Sequence, residues 1–410
     1  MVKDVGLFSS LHIPAYRLLW TSVFFVSLCW NIQSVLVSWL VLKTTGSSLM
    51  LGLVMALNFA PQAFGAISGT VADRVDKRQM LLLVSAAQVA FSATLGFLVI
   101  GGQIQFWQIA VIVFISSTLS SFSQPAQFAY TIDLVGKANT TNAVSLNQLS
   151  MFVAGTVGPS LIGAFFESFG MGFFFFLNAA FFSLTILPLL LIRKGEVIQT
   201  ADETSQGHES QSVIQGIAEG FRFSWKHRIV LGGELVVLIT NIFVWPCVWT
   251  MTPIFSTDVL GLDASGLGWL TAVNQLGGFL ANIVLASREP RHKGSILFVS
   301  SFLWGAGWLL FANVPLFPIS LASELIVGAA SSFTMTLATI VLLMNSEPRV
   351  RGRVMGIQTL TVASQSPGSI LAGSLAQSLG ARMAINVEAV GFIMSMVVLM
   401  KVIPEIRKAE

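Results

Sequence analysis

Residues 69–81, GTVADRVDKRQML, form a short charged segment between two long apolar stretches. Five charges fall within residues 73–78, whereas residues 44–72 before them carry none. The next apolar stretch begins at residue 79. An apolar run of about 20 residues is long enough to cross a bilayer as a helix. The pattern therefore predicts two membrane-spanning helices joined by a tight charged turn.

The composition of the whole chain also indicates a lipid environment. Of the 410 residues, 54% are hydrophobic and 10% are charged, and the mean hydropathy is +0.79. Soluble domains carry about 25% charged residues. The 32 Phe and 10 Trp residues fit a lipid-facing surface with interfacial anchors. The net charge is only +3 and the sequence has no basic block, so a nucleic-acid partner is not expected.

No motif points to a cofactor, a metal or an enzyme. Cys29 and Cys247 lie inside apolar stretches, where they are expected to be small apolar fillers rather than ligands or disulfide partners. No Walker loop is present, which argues against an ATP-driven pump. A membrane-embedded metalloenzyme would need ligands within the bilayer, yet all four histidines lie outside the apolar stretches: His12, His208, His227 and His292.

Twelve apolar stretches are long enough to span the bilayer. They do not alternate polar with apolar residues, so helices are expected rather than barrel strands. The stretches are 18–42, 48–72, 79–101, 106–128, 143–166, 169–192, 229–256, 264–287, 295–313, 316–344, 354–378 and 383–403. The residues before the first stretch do not resemble a cleavable signal, so that stretch is expected to remain as a span.

The basic residues predict the orientation of the chain. With the N-terminus in the cytoplasm, 20 of the 22 Lys and Arg residues fall in cytoplasmic segments, and only Lys43 and Arg382 fall outside. The positive-inside rule predicts this asymmetry. Both termini are therefore expected on the cytoplasmic side of a bacterial inner membrane.

A polar segment at 193–228 divides the twelve stretches into two sets of six. It contains ADETSQGHESQS (201–212), which has the composition of a linker. We expect an N-terminal six-helix bundle at 1–192, a cytoplasmic linker at 193–228 and a C-terminal six-helix bundle at 229–410. Apolar residues at helical spacing after residue 212 predict a short amphipathic helix on the inner membrane face: Ile214, Ile217, Phe221 and Trp225, with Arg222 and Lys226 opposite.

The two halves have similar sequences. A shift of 210 residues aligns 144–170 with 354–380, and seven of the 27 positions are identical. Shared membrane composition is the alternative explanation, but three glycines also coincide in the alignment. A parallel duplication of six-helix halves is an architecture of transporters.

Several motifs together resemble the major facilitator superfamily, over nearly the whole chain. The charged turn matches the superfamily signature between the second and third helices, and GPSLIG (158–163) resembles a fifth-helix motif associated with antiporters. Other stretches resemble the bacterial exporter branch that includes the enterobactin exporter: YRLLW (16–20), TGSSLMLG (45–52), ADRVDKRQML (72–81), QPAQ (124–127) and RGRVMG (351–356).

The resemblance implies an all-α integral membrane protein with twelve helices in two pseudo-symmetric bundles and alternating access. It implies a gate in which Asp73 caps the eleventh helix and Asp133 completes a charge relay. The small residues of the fifth helix would form either a bend and seal or ordinary close packing. The predicted gating residues are Gly69, Asp73, Arg74, Lys77, Arg78, Asp133, Gly158, Pro159 and Gly163.

Polar and aromatic residues within the apolar stretches predict a substrate cavity. Polar groups in lipid are costly unless they face protein or water, and interhelical hydrogen bonds are the alternative role for each one. By resemblance, the first, fourth, seventh and tenth helices line a central cavity. The candidate cavity residues are Ser27, Asn31, Ser34, Ser38, Asn58, Gln62, Asn241, Trp245, Trp249 and Gln275.

Three acidic residues lie inside the predicted spans: Glu324, Glu234 and Glu388. A carboxyl group in the membrane is costly to keep charged, so it can take up and release a proton. Glu324 is the deepest of the three and is the first candidate for proton coupling. Glu234 and Glu388 are closer to the surfaces, where snorkelling toward water is the alternative.

The sequence therefore predicts a monomeric secondary active transporter whose partners are a small organic substrate, protons and membrane lipid. We expect export of an amphipathic, siderophore- or drug-like molecule by proton antiport. An importer or uniporter of a small organic solute on the same fold is the alternative. A non-transporting scaffold would not need polar residues within its spans.

Overall fold

The computed structural model describes residues 9–65, 75–136, 139–192, 213–287, 292–347 and 350–408, and every regular element within these ranges is a helix. We number the long helical stretches α1 to α12. The N-terminal six are α1 (Pro14–Thr45), α2 (Ser48–Phe59, continued by Ala60–Phe64), α3 (Lys77–Ile100), α4 (Phe106–Val135), α5 (140–169) and α6 (171–191).

The C-terminal six follow a separate linker helix, Val213–Lys226. They are α7 (Arg228–Phe243, continued by Cys247–Met251 and Thr252–Asp258), α8 (Ala264–Ser287), α9 (Lys293–Asn313), α10 (Phe317–Met344), α11 (Arg351–Thr361, Val362–Ser364 and Gln365–Leu379) and α12 (Ala381–Val402).

Helix ends are set by local chemistry that the sequence carries. Gly46 ends α1 in a left-handed conformation with φ of 61°, and its N–H donates to the Leu42 carbonyl. The Ser47 hydroxyl then accepts from the backbone N–H of Met50 and caps α2. Asp76 does the same for α3, because its carboxylate accepts from the N–H of Gln79 at 3.1 Å.

Two glycines at aligned positions of the internal repeat break the chain in the same way. Gly170 separates α5 from α6 with φ of 74° and ψ of 172°, and Gly380 separates α11 from α12 with φ of 81° and ψ of 155°. L-residues with a side chain rarely adopt this backbone conformation. The shared break supports the duplication.

Eight helical stretches in the described residues are long and apolar enough to cross a membrane. One of the eight runs over residues 142–191 and holds both α5 and α6 on either side of Gly170. The stretches α2, α8 and α11 complete the set of twelve. The all-helical membrane fold is confirmed, and crossing by these three helices stays a prediction.

The two sets of six helices meet along two seams of small residues. In one seam α2 packs on α11, and in the other α5 packs on α8. A Cβ atom on Gly268 of α8 would lie 2.7 Å from the backbone N of Gly163 in α5. Ser265 also donates a hydrogen bond to the Gly163 carbonyl. These backbones could not approach so closely if side chains stood between them.

The helix Val213–Lys226 packs on the start of α11. Glu219 forms an ion pair with Arg353 there. The position of this helix on the inner membrane face stays a prediction. Phe221 and Trp225 are exposed, and their rings stack with centroids 6.2 Å apart. This places an aromatic pair on the surface of the linker helix. The predicted linker sequence at 201–212 lies outside the described residues.

Candidate substrate cavity and buried carboxyl groups

A cavity opens among α1, α2, α3, α4 and α6, and α7 reaches it through Trp249. It holds about 890 Å³ of empty space, counted with the solvent at its mouth. Its lining combines hydroxyl and amide groups, here called the polar wall, with aromatic rings. Every lining residue that the structure describes is uncharged.

The polar wall is formed mainly by residues of α4, and none of them is among the predicted cavity residues. Ser116, Ser120, Ser123 and Gln127 line the cavity. Their offsets of four, seven and eleven residues put them on one helix face. The predicted cavity residues of α1, Ser27, Asn31, Ser34 and Ser38, have the same offsets, so the sequence SSTLSSFSQPAQ (116–127) carried the same signal.

Gln88 of α3 forms hydrogen bonds with two residues of this wall, Ser116 and Ser120. Its amide nitrogen lies 3.0 Å from the Ser120 hydroxyl oxygen and 3.2 Å from the Ser116 carbonyl oxygen, and its Oε1 accepts from the Ser116 hydroxyl at 2.8 Å. Gln88 is only 5% exposed. All three contacts join α3 to α4, so they hold the side chains of this wall in fixed positions.

Aromatic side chains also line the cavity. Trp30 of α1 meets Trp249 of α7 edge to face, with ring centroids 5.3 Å apart. Trp249 in turn stacks on Trp245 at 6.2 Å. Phe59 and Phe182 also line the cavity. The indole rings therefore link the cavity in the N-terminal bundle to the C-terminal bundle.

The ten predicted cavity residues fall into three groups. Ser34, Asn58 and Trp249 line this cavity. Asn31 and Gln275 meet between the bundles, where Gln275 Nε2 donates to Asn31 Oδ1 at 3.1 Å. The others do not line it: Ser27, Ser38, Gln62, Asn241 and Trp245.

Asn241 takes the alternative role of an interhelical hydrogen-bond partner. It is 1% exposed, and its Oδ1 accepts from Gln365 Nε2 of α11 at 2.7 Å. Its own amide nitrogen donates to the Val237 carbonyl at 2.9 Å. Both contacts lie within the C-terminal set of helices, so this residue joins α7 to α11.

Glu324 is buried in α10 with two donors aimed at it. It is 1% exposed, and its two carboxylate oxygens accept from Thr252 Oγ1 at 2.8 Å and from Asn274 Nδ2 at 2.7 Å. A buried charge is stable only when paired or hydrogen-bonded. The two hydrogen bonds therefore stabilise the charged form of the Glu324 carboxyl group.

Glu388 of α12 lies in a second buried site beside α7. It is 1% exposed, and Cys247 Sγ lies 2.9 Å from its Oε2. Cys247 begins the π-helical turn at Cys247–Met251, and its carbonyl accepts from the hydroxyl of Thr252, the residue that also bonds Glu324. Cys247 is therefore a polar partner as well as an apolar filler.

Glu234 of α7 is 6% exposed, and neither of its carboxylate oxygens accepts a hydrogen bond from the described residues. Snorkelling is therefore wrong for both Glu234 and Glu388, because the helices around them cover their side chains. All three acids are buried in the C-terminal set of helices, while the uncharged cavity lies in the N-terminal set.

Three of the predicted gating residues, Lys77, Arg78 and Asp133, form polar contacts at the start of α3. Lys77 Nζ lies 2.6 Å from Asp133 Oδ2, and both side chains are about one quarter exposed, at 24% and 26%. Arg78 donates to the carbonyls of Leu189 and Leu190 at the end of α6. Cations at a helix C-terminus interact favourably with its carbonyls. The other charged gating residues, Asp73 and Arg74, and Gly69 lie outside the described residues.

The fifth-helix glycines pack in different directions. Gly158 faces α1, where an added Cβ atom would lie 3.0 Å from the Leu28 carbonyl oxygen. Gly163 faces the opposite bundle at Gly268 and Trp269. Pro159 stands between them inside the helix, and its carbonyl lies against Gly268.

Comparison with known proteins agrees with this architecture. Residues 5–410 match the transmembrane secretion effector family of the major facilitator superfamily. The chain is 24% identical over 353 residues to the multidrug efflux pump Tap of Mycobacterium tuberculosis, covering 83% of this chain and 82% of Tap. It is 23% identical over 348 residues to the staphyloferrin A transporter of Staphylococcus aureus, covering 83% of each.

Among solved structures, the POT family transporter PepTSo superposes with a TM-score of 0.75 at 9% identity, over 97% of this chain and 99% of that one. At that identity the likeness concerns the fold alone. The family match over residues 5–410 identifies the chain as a transporter rather than an enzyme. The two sets of six helices, packed together along two seams, agree with this identification. The chain belongs to the transmembrane secretion effector family of the major facilitator superfamily.

Proposed function

We propose that this protein exports small, uncharged, amphipathic organic molecules across the bacterial inner membrane in exchange for protons. The chain would work as a monomer with both termini in the cytoplasm. The two sets of helices, 1–192 and 229–410, would rock about the cavity while residues 193–228 connect them. Its relatives include a multidrug efflux pump and a staphyloferrin A transporter, which supports transport of small organic molecules.

One observation carries the proposal: the cavity lining is uncharged, while buried carboxyl groups lie in the other bundle. Hydroxyl and amide groups such as Ser120 and Asn58 suit a ligand with several hydrogen-bonding groups. Trp30 and Trp249 suit a planar apolar face. No cation or anion finds a charged partner among the described lining residues, so a neutral ligand is favoured.

Proton exchange would use Glu324 first. Its burial and its two hydrogen bonds support a site that must gain or lose a proton without contacting bulk water directly. Glu388 and Glu234 are further candidates in the same set of helices. Lys77, Arg78 and Asp133 would support the gate near the start of α3.

Transport by everted membrane vesicles tests the proposal. The probe is chloramphenicol, which is neutral and carries hydroxyl, amide and aromatic groups, with the permanently cationic ethidium as its comparison. Acidifying the vesicle interior should drive chloramphenicol inward, which corresponds to export from the cell. Nigericin, which collapses the pH gradient, should abolish the accumulation.

Three results would contradict the proposal. Movement of chloramphenicol out of acid-filled vesicles would favour the importer. Equal accumulation with and without the pH gradient would favour a uniporter. A marked preference for ethidium would contradict the assignment of a neutral substrate.

A further inference from the structure

Two adjacent side chains on α8 face opposite bundles. Asn274 donates to Glu324 Oε2 in α10 at 2.7 Å, within the C-terminal bundle. Gln275 donates to Asn31 Oδ1 in α1 at 3.1 Å, across to the N-terminal bundle. A single peptide unit therefore separates a contact to the buried carboxylate from a contact between the bundles.

The second contact depends on a glycine in α5. A Cβ atom on Gly155 would lie 2.6 Å from Gln275 Nε2 and 3.1 Å from its Cδ. The Gln275 side chain thus passes directly over Gly155 on its way to Asn31. An alanine at position 155 would displace the amide, since a real Cβ atom does not approach another heavy atom this closely.

The first contact is held rigidly against α10. A Cβ atom on Gly328 would overlap the carbonyl of Asn274, and one on Gly277 would overlap the carbonyl of Leu325. Backbones packed this tightly transmit small displacements because the interior has no slack to absorb them. A displacement of α10 at this level is therefore passed to the α8 backbone that carries Asn274 and Gln275.

At the other end, Asn31 adjoins the substrate cavity. Its neighbour Trp30 lines the cavity. The Asn31 carbonyl accepts a hydrogen bond of 2.9 Å from the hydroxyl of Ser34, which also lines the cavity. Asn31 is 5% exposed and does not line the cavity itself. Asn31 can therefore transmit a movement of α8 to the residues that line the cavity without binding the substrate itself.

We propose that the Asn31–Gln275 hydrogen bond couples protonation of Glu324 to rearrangement of the substrate cavity. This inference rests on the proposed proton exchange. The Glu324 carboxylate accepts from both Thr252 and Asn274. A proton on Oε1 is accommodated by Thr252, whose hydroxyl can accept it and donate to the Cys247 carbonyl instead. A proton on Oε2 faces the Asn274 NH2 group, which can only donate, so the Asn274 amide must then turn away. If Asn274 moves, Gln275 moves with it and the contact to Asn31 breaks.

The other titratable groups near Glu324 do not offer a second route between the bundles. Cys247 and Glu388 bond each other on the α7 and α12 side. Glu234 lies further along α7 and accepts no hydrogen bond from the described residues. All three lie within the C-terminal bundle, whereas the Gln275 amide reaches into the N-terminal one.

Two variants test the coupling in proteoliposomes, Gln275→Leu and Gly155→Ala. Gly155→Ala leaves both amides in place and acts only by displacing one of them. Asn282→Leu is the control, because Asn282 lies on the same helix and bonds Gly278 and Ser332 within the C-terminal bundle. Each variant is assayed for chloramphenicol counterflow without a gradient and for accumulation driven by a pH gradient. Thermal stability in detergent shows whether each variant is folded.

We expect Gln275→Leu and Gly155→Ala to keep counterflow but to lose gradient-driven accumulation by about fivefold or more, the usual lower range of coupling between sites. Asn282→Leu should keep both activities. Gradient-driven accumulation at the wild-type level in both test variants would overturn the coupling. An equal loss of both activities in folded variants would also overturn it, since that indicates a merely structural role. If the wild-type protein itself shows no gradient-driven accumulation, the proposed proton exchange, on which the coupling rests, is overturned.

Discussion

Gly52 in α2 and Gly373 in α11 touch through their backbones, since a Cβ atom built on either residue would lie 3.0 Å from the Cα atom of the other. Gly163 is the counterpart of Gly373 in the internal repeat, and it contacts Gly268 across the other seam. Each half thus contributes one repeated glycine to a contact with the opposite half. This placement shows close packing of Gly163 between the bundles, and its role in a bend and seal stays a prediction.

Replacing Gly373 with Ala should impair transport and lower stability. The added Cβ atom would lie 2.7 Å from the Ser48 carbonyl oxygen, and overpacking of this kind costs about 1–3 kcal/mol. Gradient-driven transport and the melting temperature in detergent are the measurements.

Gly356→Ala is the matched control because Gly356 lies in the same helix, α11, with open space around it. Normal transport by both variants would show that the α2–α11 seam tolerates a wider separation.

Glu324→Gln should abolish gradient-driven accumulation while leaving chloramphenicol counterflow intact. A glutamine keeps the shape and one acceptor for Asn274 or Thr252, but it cannot exchange a proton. The two assays are run side by side in proteoliposomes with and without an imposed pH gradient.

Glu234→Gln and Glu388→Gln, examined in the same assays, identify which buried acid is needed. Full gradient-driven transport by Glu324→Gln, together with loss in one of the other two variants, would move the proton site to that residue.

Gln88→Leu should weaken chloramphenicol binding by about two- to tenfold. The change removes the amide that aligns Ser116 and Ser120, and a neutral hydrogen bond contributes about 0.5–1.5 kcal/mol. Quenching of tryptophan fluorescence measures the affinity, because Trp30 and Trp249 line the same cavity.

Thr118→Val serves as the control for this wall. Thr118 lies on α4 but donates to the Phe114 carbonyl of its own helix and does not line the cavity. Unchanged affinity in Gln88→Leu would place the binding site elsewhere.

The Lys77–Asp133 pair should show measurable coupling in a double-mutant cycle with Lys77→Met and Asp133→Asn. The two side chains are partly exposed, so a coupling energy of about 1 kcal/mol or less is expected. Thermal stability in detergent gives the energy of each variant. If the double variant is destabilised by the full sum of the two single changes, the ion pair does not act in the state measured.

Local features of the chain could be predicted from the sequence because local chemistry sets them. The helical form of the long apolar stretches and the helix from 213 onward depend on neighbouring residues. Helix breaks at Gly170 and Gly380 follow from a residue type that tolerates positive φ. The family could be predicted as well, because its motifs lie mostly in such turns and helix ends.

Which face of each helix meets the cavity depended on the tertiary structure. Periodicity shows that Ser27, Asn31, Ser34 and Ser38 share a face. It does not show that Asn31 turns to Gln275, 244 positions away, while Ser34 meets the cavity.

The polar residues of this chain therefore divide in two. Their cost in lipid is a local property, so the sequence by itself determined that each needs a partner or a water-filled space. Packing between distant helices decided which of the two each residue received, as Asn241 beside Gln365 and Ser116 in the cavity illustrate. The physical reason is that a hydrogen-bond partner is chosen by proximity in space, and helix packing brings together residues that are far apart in the chain.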